Sequence, residues 1–285
     1  MRDTRDMLLV LLSSLLMLTG CSRRDILDDY PVSGVEISLD WNGVTNKLPE
    51  GVRVIFYPKN AEGRKIDTYL SVKGGKVKVP PGRYSVVVYN YDTETVQIRG
   101  EEAYETIEAF TGHCNGLGIA GTEQLVWGPD PLYVVRIDDL KIENSEEELQ
   151  LNWKPKLVVK TYSFKLKVQG LEYVSSIVGS IEGMSSCYDL GLGCGKAGDS
   201  PIYFAARGSA GEVTGSFTVF GTSEGVISRA GNAIKLTLAF VKTDNKVQKM
   251  EVDITEVIAN SESGGSGGDD DGDEPFKEIE LPVED

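Results

Sequence analysis

The fold is decided at Val79-Pro80-Pro81-Gly82-Arg83-Tyr84-Ser85-Val86-Val87-Val88-Tyr89-Asn90. Pro81-Gly82 fits the central positions of a type II turn, where proline presets one φ and glycine supplies the positive one. The run that follows is β-branched with aromatic ends, which is the composition of a strand buried in a sheet. On its amino-terminal side Val35, Ile37, Leu39 and Trp41 alternate with Glu36, Ser38 and Asp40, so one face of that strand is core and the other is wet. Gly51 to Tyr57 is a second strand, ended by Pro58, and Asn60-Ala61-Glu62-Gly63 is a turn. Ile66 to Val72 leads into Gly74-Gly75, a pair able to supply positive φ in a hairpin. On the carboxy-terminal side Tyr104 to Phe110 and Leu132 to Ile137 are strands, with a Gly112 to Gly121 loop and a Trp127-Gly128-Pro129-Asp130-Pro131 turn between them. Leu149, Leu151 and Trp153 alternate until Pro155, which a strand tolerates at its end or on a sheet edge.

The pattern restarts at Leu157 through Tyr162, Phe164, Leu166 and Val168, which places a domain boundary near residue 156. Val174, Ile177, Val178 and Ile181 fall at helical spacing and predict one short helix over Glu172 to Ser180. Strands follow at Ile202 to Arg207, Val213 to Phe220, Ile234 to Val241 and Lys249 to Ile254. Ser261 to Glu274 has no apolar residue to pack and reads as a flexible acidic Gly/Ser loop. Its Asp269-Asp270-Asp271-Gly272-Asp273 run lacks the alternating ligands and closing glutamate of an EF-hand, so it reads as solvated charge. Ile279, Leu281 and Val283 then alternate with polar residues, predicting a last strand on a sheet edge that docks on its own domain or on another subunit. The chain is therefore all-β, with two tandem sandwich domains at residues 32–156 and 157–285.

The amino terminus decides where these domains live. Met7 to Leu18 is an apolar run broken only by Ser13 and Ser14. It is shorter than the roughly twenty residues a membrane span needs and suits the h-region of a secretory signal. Leu18-Thr19-Gly20-Cys21 resembles the lipobox of bacterial lipoproteins. On that reading residues 1–20 are removed, the Cys21 thiol carries a diacylglycerol and residues 21–31 form a tether. Acyl chains contribute about 0.8 kcal/mol per buried methylene and hold a protein on a membrane without a crossing helix. The removed segment is balanced in charge, so the net charge of −15 remains. Such an acidic surface argues against a nucleic-acid partner. With 40% hydrophobic residues and 32 glycines, the composition suits short strands and many turns.

Beyond Cys21 the cysteines are Cys114, Cys187 and Cys194, and export would let disulfides persist. Cys187 and Cys194 flank a glycine-rich segment flexible enough to close a small ring, which predicts a Cys187–Cys194 disulfide and leaves Cys114 a lone buried thiol. His113 is the single histidine, and no Cys-x-x-Cys or His-x-x-x-His spacing accompanies it, so neither metal nor cofactor is expected. His113 has no Gly-x-Ser-x-Gly context to make a nucleophilic triad, and Gly191-Leu192-Gly193-Cys194-Gly195 does not continue as a dinucleotide fingerprint. A pair of catalytic carboxylates could be drawn from the 44 acidic residues, but small all-β halves without long insertions are poor hosts for a glycosidase site. The sequence reads as a non-enzyme with no catalytic residues. Trp41 and Trp153 follow strand alternation and belong to the core. Trp127, in its Gly-Pro-Asp-Pro turn, is the candidate ligand contact, and it supports the alternative of a cell-surface glycan-binding lipoprotein.

The Pro80-Pro81-Gly82-Arg83-Tyr84 passage from turn to strand is similar to one that recurs in transthyretin-type sandwiches. Together with the lipobox, Tyr162 to Gly170, Tyr173-Val174-Ser175-Ser176-Ile177 and Gly183-Met184, it resembles the FimB-type fimbrial anchor lipoproteins of Bacteroidetes. The resemblance implies two transthyretin-like β-sandwich domains and a lipid-anchored position at the outer membrane, exposed at the cell surface. It further implies a role as fimbrial anchor or assembly subunit, with fimbrial subunits as partners joined by strand exchange. One departure stands out. Shaft subunits of such fimbriae are matured by cleavage after arginine, and Arg23-Arg24 directly follows the lipid site, so an anchor must leave it uncut.

Overall fold

The computed structural model describes residues 33–60, 63–114, 124–145, 147–197, 200–221, 233–263 and 276–280. The first half runs β1 (Ser33–Leu39), β2 (Gly51–Pro58), β3 (Ile66–Ser71), β4 (Gly74–Val79), β5 (Gly82–Asn90), β6 (Val96–Arg99), β7 (Glu108–Thr111), β8 (Val126–Trp127), β9 (Tyr133–Ile142), β10 (Leu149–Trp153) and β11 (Lys156–Leu157). The second half runs β12 (Val159–Lys167), a 3-10 turn (Leu171–Tyr173), β13 (Val174–Glu182), β14 (Ser185–Asp189), β15 (Cys194–Ala197), β16 (Ile202–Ser209), β17 (Glu212–Phe220), β18 (Lys235–Lys242), β19 (Val247–Asp253), α1 (Thr255–Ser263) and β20 (Phe276–Glu280).

The first sheet has the order β10-β1-β4-β3-β2-β5-β9-β11. Its strands β3 and β4 share only the Ser71↔Gly74 pair, and Gly74 sits there at φ +100°. A side chain at Gly74 would come 2.0 Å from the Ile37 carbonyl oxygen, so both the turn and the close approach require glycine. At this corner the sheet folds over, and Val35, Ile37, Val54, Phe56, Val86 and Val88 pack between its own two layers. A sandwich is thereby made from one sheet. Residues Tyr84 to Asn90 of β5 are all buried because a second core lies on the strand's other side. Pro81-Gly82 does not form the expected type II turn. Gly82 lacks a positive φ and is the first residue of β5, where the Tyr84 ring approaches within 3.3 Å of its Cβ position.

The second core joins the halves. Ile55, Tyr57, Val87 and Tyr89 pack against Ile107 and Ala109, and also against Val158, Tyr188, Leu190 and Phe220 from the second half. The sheet over them has the order β15-β14-β7-β6, two strands from each half, with Cys187, Tyr188 and Asp189 paired to Phe110, Ala109 and Glu108. The third sheet, β19-β18-β13-β16-β17-β12-β20, receives β8 from the first half, which pairs with β16 at Ile202↔Val126 and Tyr203↔Trp127. Each half thus gives strands to the other. The chain passes from one sheet to the next between β11 and β12, close to residue 156, but the layers do not divide there.

The helix expected over Glu172 to Ser180 is instead the 3-10 turn followed by β13. Ile177, Gly179 and Ile181 occupy the core face at period two, and a bulge between Val174 and Ser176 shifts Val174 onto the same side. A strand with one bulge therefore imitates helical spacing. Gly179 hides the alternation because the Phe204 ring fills the space of its missing side chain, 2.0 Å from where a Cβ would stand. The one described helix is α1. Asp253 Oδ1 accepts the Thr255 N–H at 2.9 Å at its start, and Ile254 and Ile258 anchor it in the core. Ser261 to Ser263 of the expected loop belong to this helix, and the rest of that loop lies outside the described residues.

Candidate functional site

Sheet edges are the first candidates, since an edge strand carries unpaired backbone groups that another strand can satisfy. β20 occupies the edge beside β12 in parallel register, from Thr161↔Phe276 to Lys165↔Glu280. The last strand therefore docks on its own domain here.

A cleft of about 760 Å³ opens where the β14–β15 hairpin tip meets the first sandwich, lined by Tyr57, Lys59, Tyr104, Arg136, Asp138 and Leu192 among others. Arg136 donates to Asp138 at 2.5 Å, to the Tyr104 hydroxyl at 3.1 Å and to the Leu192 carbonyl at 2.9 Å. Burial and the hydrogen bond to Asp138 push the Tyr104 hydroxyl up to about 12, while Tyr104 and Arg136 hold Asp138 below the ordinary carboxylate range. These groups satisfy one another and tie the hairpin tip down.

A charged ladder crosses the shared sheet. Glu108 on β7 pairs with Arg99 on β6 and with Lys196 on β15 at 2.9 Å, and Lys196 also meets Asp189 on β14 at 2.9 Å. Asp189 is only 2% exposed, so it depends on Lys196. Burial raises the Glu108 pKa, but Lys196 and Arg99 outweigh it and leave the group below its ordinary value. Lys196 is pushed up to about 12 by Asp189 and Glu108. A carboxylate with a depressed pKa stabilises the fold above its unfolded pKa and loses that contribution as pH falls through the folded one; an elevated lysine does the reverse at alkaline pH. Lys196→Met leaves Asp189 without its cation and Glu108 with Arg99 alone, and is expected to cost about 1–3 kcal/mol at pH 7. Chemical denaturation should show that cost shrinking as pH is taken below about 4, the ordinary carboxylate range.

Of the site residues read from sequence, Cys21 lies outside the described residues. The Cys187–Cys194 disulfide is corrected, because both are free thiols. In the β14–β15 register Cys187 faces Lys196 and Cys194 faces Asp189, so the sulfurs belong to different rungs. Burial, with Glu108 nearby, raises the Cys187 thiol, and burial pushes Cys114 up to about 11; neither is a ready nucleophile. His113 forms a backbone bridge with Val126, and among the described residues no three metal-binding side chains converge. Trp127 sits in β8, 37% exposed, with its ring edge-to-face on Tyr203 at 5.4 Å. The β14–β15 hairpin and the strand β6 escaped the sequence reading; the only signal for the hairpin was Ser185-Ser186-Cys187-Tyr188-Asp189 ahead of its glycines.

A family model described as a domain of unknown function, DUF5119, matches residues 20–205. The chain belongs to this family. A Bacteroides ovatus protein provisionally named fimbrium anchoring subunit Fim4B is 61% identical over 297 residues, spanning 100% of this chain and 89% of the relative. The DUF5119 chain thus also belongs with the FimB-type anchor proteins that its sequence resembles. A crystal structure of a B. ovatus protein provisionally described as an adhesin superposes with a TM-score of 0.78 at 58% identity, covering 93% of this chain and 94% of that one. The fimbrial anchor protein Mfa2 of Porphyromonas gingivalis shares the fold, with a TM-score of 0.54 at 11% identity over 83% and 86% of the two chains.

Proposed function

We propose that this DUF5119 protein anchors or assembles a fimbria at the cell surface, held to the outer membrane by lipid on Cys21 and joined to fimbrial subunits by strand exchange. The full-length likeness to the relative named for fimbrial anchoring carries the reading. The all-β architecture suits it, since edge strands such as β19 and β6 offer backbone groups a partner strand can pair with. Lipid fits the Leu18-Thr19-Gly20-Cys21 tetrapeptide, and the tether supplies reach. Deleting the gene is expected to reduce the number of attached fimbriae seen by electron microscopy. Complementing with Cys21→Ser should restore polymerisation but release fimbriae into the medium. Fimbriae unchanged in number, length and attachment in the deletion strain would refute the reading.

A further inference from the structure

We infer that β1 and β10 form a force-bearing clamp between the membrane tether and the rest of the molecule. The inference rests on the anchoring role proposed above, because it concerns how tension from a fimbria reaches the lipid.

The two strands are parallel and in register over five pairs, from Val35↔Leu149 to Leu39↔Trp153. The tether joins β1 at its amino-terminal end, Ser33. β10 leaves at its carboxy-terminal end, Trp153, and within a few residues the chain becomes β11 and then β12 of the second domain. Tension that the chain carries back from the second half therefore reaches β10 at one end, beside the load borne by the shared sheet, while the lipid pulls β1 from the other. Parallel strands drawn from opposite ends are loaded in shear, so the pairs along their length share the force and must give way together. Antiparallel neighbours loaded at adjacent ends open one pair at a time.

The surroundings of β1 fit that load. On its other side it pairs with β4 over six positions, Ser33↔Val79 to Ser38↔Gly74. Val35 and Ile37 are fully buried in the sandwich core, so sliding β1 would drag apolar side chains through packed neighbours. The Glu148 side chain crosses Gly34, where it lies 3.3 Å from the position of a Cβ, and pairs with Lys76 of β4 at 2.8 Å. That ion pair straps β10's approach to β4 over the top of β1. At the far end the Asp40 N–H donates to the Trp153 carbonyl at 2.8 Å, and Trp41 Nε1 donates to the Val72 carbonyl at 2.6 Å.

The test leaves the clamp residues intact and changes only the direction of pull. The mature chain is held at its amino terminus in single-molecule force spectroscopy and pulled through a click-reactive residue placed at exposed Lys154, just after β10, or at exposed Lys78, opposite Gly34 on β4. Circular dichroism and melting of both forms check that each is folded. The expected result is a rupture force several-fold higher through position 154 than through position 78. Equal forces, or a weaker break through position 154, would overturn the clamp even if the deletion strain loses its fimbriae. A strong clamp in a protein whose deletion leaves fimbriae intact would instead remove the anchoring role alone.

Discussion

A fragment covering residues 21–156 is expected to remain unfolded, although it contains every strand of the first sheet except β11. Without the second half, the shared sheet loses β14 and β15 and keeps only the short β6 and β7. The core beneath it loses Val158, Val159, Tyr188, Leu190 and Phe220, leaving Ile55, Tyr57, Val87 and Tyr89 covered only by first-half neighbours such as Ile107 and Ala109. Fully burying a large apolar side chain contributes about 1.5–3 kcal/mol, so five such losses come to roughly 10 kcal/mol. A whole domain is stable by about 5–15 kcal/mol, which leaves the fragment no margin. The complementary fragment 157–285 loses β8 and retains its own core around Phe164, Phe204 and Phe217, so it suffers less. Co-expression of the two fragments is expected to restore a folded complex, because each carries the strands the other lacks. Amide dispersion in nuclear magnetic resonance spectra decides the matter, and a well-dispersed spectrum for 21–156 alone would contradict the exchange of strands between halves.

How legible this was follows from what each signal measures. Alternation at Val35 to Trp41 and at Tyr162 to Val168 depends on one wet face, and those strands were readable with nearly their observed bounds. The strands of the shared sheet lack that contrast. In β14, Ser185, Ser186, Tyr188 and Asp189 are all buried, polar and apolar alike, because the strand is covered on one side and crossed by the charged ladder on the other. No periodicity survives there, and glycines on either side suggest a loop. β13 misled for a related reason, since a bulge and a glycine beneath an aromatic ring are tertiary facts. Two sandwiches could be read from local pattern; their interlocking could not, because partners such as Cys187 and Phe110 are far apart in sequence. For the site, the family likeness was legible in short motifs, whereas the edge filled by β20 and the parallel pairing of β1 with β10 are matters of topology.

Arg53→Met is expected to be the most damaging single substitution outside the apolar cores, at about 2–4 kcal/mol. All five N–H donors of this guanidinium are used. Nε and Nη2 hold the Asp67 carboxylate at 2.9 and 2.7 Å, Nη1 and Nη2 hold Glu101 at 2.6 and 2.9 Å, and Nη1 also donates to the Tyr89 hydroxyl at 2.8 Å. The rings of Tyr69 and Tyr89 lie 5.6 and 5.9 Å from its carbon. Hydrogen bonds to Asp67 and Glu101 raise the Arg53 pKa above even the usual arginine value, so the charge is present at any pH at which the protein folds. Arg53 and Asp67 sit on β2 and β3, while Glu101 belongs to the connection between β6 and β7. The cluster therefore fastens the shared sheet to the first sandwich. Methionine keeps the packing of the stem and strands two half-buried carboxylates a short distance apart. Arg53→Lys should recover less than half of the loss, because one ammonium cannot present two planar forks. For a protein of this size about 5–15 °C of melting temperature is at stake. A double-mutant cycle with Glu101→Gln isolates the term: a coupling near zero would mean the Arg53–Glu101 contact contributes nothing, and a loss below about 1 kcal/mol for Arg53→Met would place this cluster with ordinary surface ion pairs.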